Sequence, residues 1–149
     1  MSTPTNNLIA QHDEVKAEIA RTDSKTALLL AFVGAVLAGA WSVAQDLPLA
    51  PTTYVTGGLG LALLVVAAAL LLRSVRPNLG GGHGFPLWAT LTPDQITADA
   101  ETRDLAADIA GLSRIAVAKF TCLRRAIDLT YAGGALLVLS VLIALGGMA

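Results

Sequence analysis

Three arginines at positions 103, 114 and 125 stand eleven residues apart. Eleven steps of about 100° come to about three helical turns, so on a helix they share one line. Guanidinium groups present a planar fork of donors that fits phosphate oxygens. Arg114 and Arg125, with Lys119 between them, therefore form a candidate site for an anionic ligand. A plain solvated face, with Arg103 pairing to Asp99 one turn earlier, is the simpler reading of the same residues. A second charge group is "RTDSK", where Arg21, Asp23 and Lys25 precede a long apolar run. The basic pair orients a membrane span, but Asp23 is not needed for that. Its carboxylate is placed to bridge to Lys119, Arg124 or Arg125. Other chemistries lack their residues. The single cysteine, Cys122, excludes an internal disulfide and a zinc-type cluster, and His12 and His83 stand alone, as surface histidines do. With no nucleophile–base pair, metal cluster or carboxylate pair in the soluble part, the chain is expected not to be an enzyme and to need no metal or other cofactor.

The elements that must carry these charges follow from composition. The 149 residues are 54% hydrophobic and 14% charged, against about 25% charged in soluble domains. Three windows hold no charge at all: Thr26 to Gln45, Leu47 to Leu72, and Leu129 to Ala149. Each is long enough to cross a hydrocarbon core of about 30 Å as a helix. Ala38-Gly39-Ala40 fits a signal-peptidase pattern, but the 25 residues before the run mix acidic with basic side chains, and the run is too long for a signal peptide. A retained span is expected.

Basic residues set the orientation. Lys16, Arg21 and Lys25 precede the first span; Arg73 and Arg76 follow the second; Lys119, Arg124 and Arg125 precede the third. The turn between the first two spans, "DLPLAPTT", has none. Both N-terminus and long loop are thus expected in the cytoplasm, with the C-terminus external. Trp41 and Tyr54 fall where interfacial aromatics sit. Small residues four apart in the first span (Gly34 and Ala38, Ala35 and Gly39), with Gly57, Gly58, Gly60, Gly133 and Gly134, suit close helix approach or simply reflect a composition rich in alanine and glycine. No charge lies within the windows, so a proton relay or ion pathway has no support.

Two cytoplasmic pieces remain. Leu8, His12, Val15 and Ile19 recur on one helical face. "RPNLGGGHGFPLW" is broken by Pro77 and the glycines from 80 to 84. Without a following Gly-Lys-Ser/Thr it reads as a connector at the membrane surface, with Phe85 and Trp88 at the interface, rather than as a nucleotide loop. Thr92, Pro93 and Gln95 then form a helix start with a capping box. A single helix is expected over 93–128, weakened at Gly111. Its apolar side is Leu105, Ile109, Leu112, Ala116, Phe120, Leu123 and Ile127, and needs a partner: the N-terminal helix or a second copy.

The organisation expected is an all-α membrane protein. It has an amphipathic cytoplasmic helix over 1–25 and transmembrane helices over 26–45, 53–73 and 129–149. An external turn falls at 46–52, a Gly/Pro-rich connector at 74–92 and a cytoplasmic amphipathic helix at 93–128. The cytoplasmic helices form a small helical bundle.

The stretches "TDSKTALLLAFVGAVLAG", "RP" after the second span and "ADIAGLSRIAVAKFTCLRRAI" resemble the Pycsar effector family of small membrane proteins. The matching positions are Asp23, Lys25, Arg76, Pro77 and Lys119, at or near the membrane junction. The resemblance implies an antiphage effector that responds to a cyclic pyrimidine nucleotide, cyclic CMP or cyclic UMP, made by a partner pyrimidine cyclase. The effector then impairs the cell membrane, and the infected cell dies. It implies the lipid bilayer and further copies of the chain as partners, and no nucleic acid. The glycine-rich connector departs from the more structured segment expected in relatives. Similar proteins are also described as plasmid-transfer or spreading proteins, which would need no ligand, and an ordinary membrane scaffold is a third reading.

Overall fold

The computed structural model describes residues 3–46, 51–76, 85–102 and 104–146. Every regular element among them is a helix: α1 (Thr3–Asp46), α2 (Pro51–Val75), α3 (Phe85–Trp88), α4 (Pro93–Thr102) and α5 (Leu105–Gly146). Three of these, α1, α2 and α5, are long and apolar enough to cross a membrane. The protein is an all-helical membrane protein. Its residues group into two compact units, one of residues 1–19 and 76–116, the other of 20–75 and 117–149.

Local chemistry sets the helix ends. Pro51 opens α2, where its missing N–H costs nothing. The helix stops at Val75, two residues ahead of Pro77, whose ring disfavours helical geometry in the residue before it. At the start of α4 the side-chain oxygen of Gln95 accepts the Thr92 N–H at 2.9 Å, half of the expected capping box. The single helix expected over 93–128 is instead two. Asp104 Oδ1 accepts the N–H groups of Ala106 at 2.9 Å and Ala107 at 3.2 Å, so this carboxylate caps a new helix, α5. From there α5 runs 42 residues, through Gly111.

In the first unit, the N-terminal stripe is sheltered as its spacing predicts: Leu8, Val15 and Ile19 are half-buried and His12 is buried. His12 is therefore not a surface histidine. It occupies an apolar-face position, and its Nε2 has no hydrogen-bond partner among the described residues. Trp88 of α3 donates its indole N–H to Asp99 of α4 at 3.2 Å. That bond takes the carboxylate assigned from sequence to Arg103, a residue outside those described. The side chain of Phe85, the connector residues 77–84 with His83, and residues 47–50 of the turn expected between the first two spans also lie outside them.

The second unit is a three-helix arrangement with a readable register. Ser140 of α5 donates to the Thr53 carbonyl of α2 at 3.1 Å, and Cys122 donates its thiol to the Leu70 carbonyl at 3.3 Å. A Cβ placed on Gly60 would meet the Gly133 oxygen at 2.9 Å, and one on Gly133 would meet the Gly60 oxygen at 2.9 Å. These paired numbers sum to 192 or 193, so α2 and α5 run antiparallel in fixed register. The sheltered positions on α2 (Thr53, Gly57, Gly60, Leu64, Ala67, Leu71) alternate spacings of four and three. So do Leu123, Ala126, Thr130, Gly133, Leu137 and Ser140 on α5. An average repeat of 3.5 is that of a left-handed pair of helices. At the Leu71 end of this seam Leu71, Leu123 and Ala126 are buried together, and Leu29 and Leu30 of α1 pack on them. Gly34, Gly39, Gly58 and Gly134 face open space, so only some of the small residues serve contacts within the chain.

Candidate functional site

Asp23 stands on α1 beside Thr22 and Thr26, which are 1% and 0% exposed. Thr26 donates its hydroxyl to the Thr22 carbonyl at 2.8 Å, so a polar side chain is tolerated at a packed position without an orphaned group. One residue round the helix, the Asp23 carboxylate points at Lys119 of α5. The Lys119 ammonium donates to both oxygens, at 2.5 Å and 2.8 Å. The lysine side chain is 22% exposed and the aspartate 40%. Of the three cations open to Asp23 from sequence, the structure selects Lys119. The choice follows from faces: Arg124 and Arg125 are exposed, whereas Lys119 lies on the flank of the α5 seam.

The pair joins residues 96 apart, and α1 and α5 continue in the same direction from it. Seven residues on, Leu30 lies level with Ala126, in the cluster it packs on. The ion pair and the first apolar layer thus belong to one register. A half-exposed pair contributes about 1 kcal/mol at most, so its larger effect is to fix which faces of α1 and α5 meet.

The other sequence-derived site residues are dispersed. Arg114 is exposed, and its Nε donates to the Ala110 carbonyl of its own helix at 3.1 Å, leaving the remaining guanidinium donors for solvent or an anion. Arg125, Lys25 and Arg76 are exposed, and Pro77 lies outside the described residues. Lys119, proposed from sequence beside Arg114 and Arg125, has its charge matched by Asp23. The first unit therefore contributes Arg114, and the second contributes Arg125 and the Asp23–Lys119 pair.

Several contacts escaped the sequence reading, among them the Trp88–Asp99 hydrogen bond, the Asp104 cap and the Ser140–Thr53 and Cys122–Leu70 bonds. An aspartate ahead of a run of helix formers is compatible with a cap, but equally with a continuous helix.

Comparison with protein families matches residues 7–146 to the Pycsar effector protein domain. Searches of curated proteins and of solved structures gave no match. The match takes in α2, α3, α4 and α5 whole and nearly all of α1, including both members of the ion pair. The chain belongs to the Pycsar effector family, the membrane effectors of an antiphage defence.

Proposed function

We propose that the protein is switched on by a cyclic pyrimidine nucleotide, cyclic CMP or cyclic UMP, from a partner cyclase, and that it then impairs the cell membrane. The family match across residues 7–146 carries this reading. It favours a ligand-gated effector over a plasmid-transfer protein or a scaffold. The protein acts as a binding and membrane-perturbing device rather than an enzyme, works as a homo-oligomer, and has its N-terminus in the cytoplasm and its C-terminus outside.

Arg114 in the first unit and Arg125 in the second are each candidate donors to an anionic nucleotide, for which their planar forks are suited. Lys119, about 120–140° round α5 from the two arginines, is a separate position, where an oxyanion of the ligand would take the place of Asp23. That exchange frees the faces of α1 and α5 that the pair aligns. Lys25, Arg76 and Pro77 hold the inner membrane junction. Support for a mechanical link comes from α1 and α5 themselves, which are each single helices of 44 and 42 residues with an apolar spanning segment.

Calorimetry on the full chain in lipid nanodiscs, with cyclic CMP, cyclic UMP and cyclic AMP, tests the proposal. One cyclic pyrimidine nucleotide binds and cyclic AMP does not. Arg114→Ala and Arg125→Ala each weaken binding by about tenfold, as loss of a charged hydrogen bond does. The same nucleotide releases dye from vesicles carrying the protein. Failure of all three nucleotides to bind a folded sample overturns ligand gating and returns the transfer reading.

A further inference from the structure

Register fixes the depth of every residue in the second unit relative to its neighbours. On α1 the last charge before the apolar run is Lys25, and on α2 the first charge after it is Arg73. The α1–α5 offset of 96 set by Asp23 and Lys119 places Asp128 beside Phe32. The α2–α5 register places it beside Leu64 or Val65. Asp128 is therefore seven residues past the level of Lys25 and eight or nine past that of Arg73. At a rise of 1.5 Å per residue, this is about 10–13 Å deeper into the apolar layer. Arg124 lies beside Leu28, about 5–7 Å past the same charges. The numbering of charge-free windows puts both residues before the third span, but the packed helices put them inside the layer that the other two define.

Both side chains are exposed. Among the described residues, neither has an ion-pair or hydrogen-bond partner for its side chain within its own chain. Arginine's long side chain can reach back several ångströms to headgroups, but an aspartate is too short to do so. Hydrocarbon offers a carboxylate no donor, and ionisable residues at such depth face protein or water rather than lipid. Asp128 also belongs to a regular surface. Val117, Thr121, Arg124, Asp128, Tyr131, Ala135, Val138, Leu142 and Leu145 are all exposed and follow the same alternation of four and three as the seam packed on α2. This stripe lies on the side of α5 opposite the seam packed on α2.

We infer that this outer face of α5 is covered by α5 of a second copy, with Arg124 of each copy paired to Asp128 of the other. Copies inserted in one orientation bring like residues level, and Arg124 and Asp128 are one turn, about 6 Å, apart along the axis. An arginine spans that step. The pairing supplies each copy with the counter-charge it lacks, and the apolar outer half of the stripe continues the contact toward the C-terminus. This inference rests on the reading of the protein as an oligomer and names its surface.

Differently tagged full-length chains co-expressed in one membrane test it, read by co-purification from detergent. Asp128→Arg copies and Arg124→Asp copies each self-associate about threefold to tenfold less than the unaltered chain, the loss expected for one interhelical polar pair. Asp128→Arg mixed with Arg124→Asp recovers association, because only the mixed contact restores opposite charges. A mixed pair no better than either variant alone overturns the inference and leaves the charges to pair within one helix, as residues four apart can. Should either variant fail to enter the membrane, cysteine cross-linking in a Cys122→Ser background decides. Ala135→Cys cross-links between copies, and Leu59→Cys, exposed at a similar level on α2, does not; the reverse pattern overturns the inference. Nucleotide plays no part in these readouts. Association through this face without a response to cyclic nucleotides sinks only the gating proposal, and gating without cross-links at position 135 sinks only the interface.

Discussion

Gly60 and Gly133 lie so close that a Cβ on either would sit 2.9 Å from the backbone oxygen of the other. Side chains of Leu64 and Leu137 close in at 3.0 Å and 3.2 Å, so the contact has no slack on either side. In hydrocarbon, where burial against water drives nothing, such backbone approach is what holds helices together.

Adding a methyl there is expected to push α2 and α5 apart. Gly60→Ala and Gly133→Ala each lose about 1–3 kcal/mol, the usual cost of overpacking. Gly34→Ala and Gly58→Ala, which meet nothing within 4 Å, are unchanged or gain up to about 1 kcal/mol from helix propensity. Unfolding of the detergent-solubilised protein, followed by circular dichroism, separates the two groups.

Asp23→Asn is expected to weaken the second unit by about 0.5–1 kcal/mol, with the difference shrinking as salt is added. Lys119→Gln costs a similar amount. The double variant costs little more than either, because both remove one interaction. Strictly additive losses in the same unfolding assay would mean that the two charges act separately.

Asp104→Ala removes the cap of α5 and is expected to cost about 1 kcal/mol. The loss is local, so hydrogen exchange should speed up at residues 105–108 while Leu123 and Ala126 keep their protection. Asp104→Asn retains most of the cap. Uniform loss of protection along α5 is the outcome that contradicts this account.

Trp88 can be isolated spectroscopically, since the other tryptophan, Trp41, is 66% exposed and replaceable by phenylalanine. In that background, Asp99→Ala breaks the indole hydrogen bond and is expected to shift Trp88 emission and cost about 1 kcal/mol. Asp99→Asn preserves an acceptor and should leave emission nearer to that of the parent. Identical spectra for all three would place the indole elsewhere.

Much of this architecture is legible in the residues because two strong signals carry it. Charge-free windows mark the spans, and the stripe from Leu105 to Ile127 marks the sheltered side of α5: Leu123 is buried, Phe120 is 38% exposed, and the other five are half-buried. The break at Asp104 was hidden because an aspartate is acceptable both within a helix and as its cap. His12 illustrates the same ambiguity, a polar residue on an apolar face whose burial the spacing alone leaves open. Which glycines touch was not legible either. Gly57 and Gly58 are neighbours in a similar context, yet only Gly57 meets Ser140. That outcome depends on register, a property of two helices together that neither sequence segment encodes alone. The same register makes Asp128 notable, because its depth is set by residues far away in the chain.

The Gly60–Gly133 contact divides the seam between α2 and α5, and a different bond joins the helices on either side of it. On one side that is the Ser140 hydroxyl on Thr53, and on the other the Cys122 thiol on Leu70. A thiol is much the poorer donor. The two ends are thus held differently: by a hydroxyl bond at the Thr53 end, and at the Leu70 end by a weaker thiol bond backed by the buried Leu71, Leu123 and Ala126 and by the Asp23–Lys119 pair.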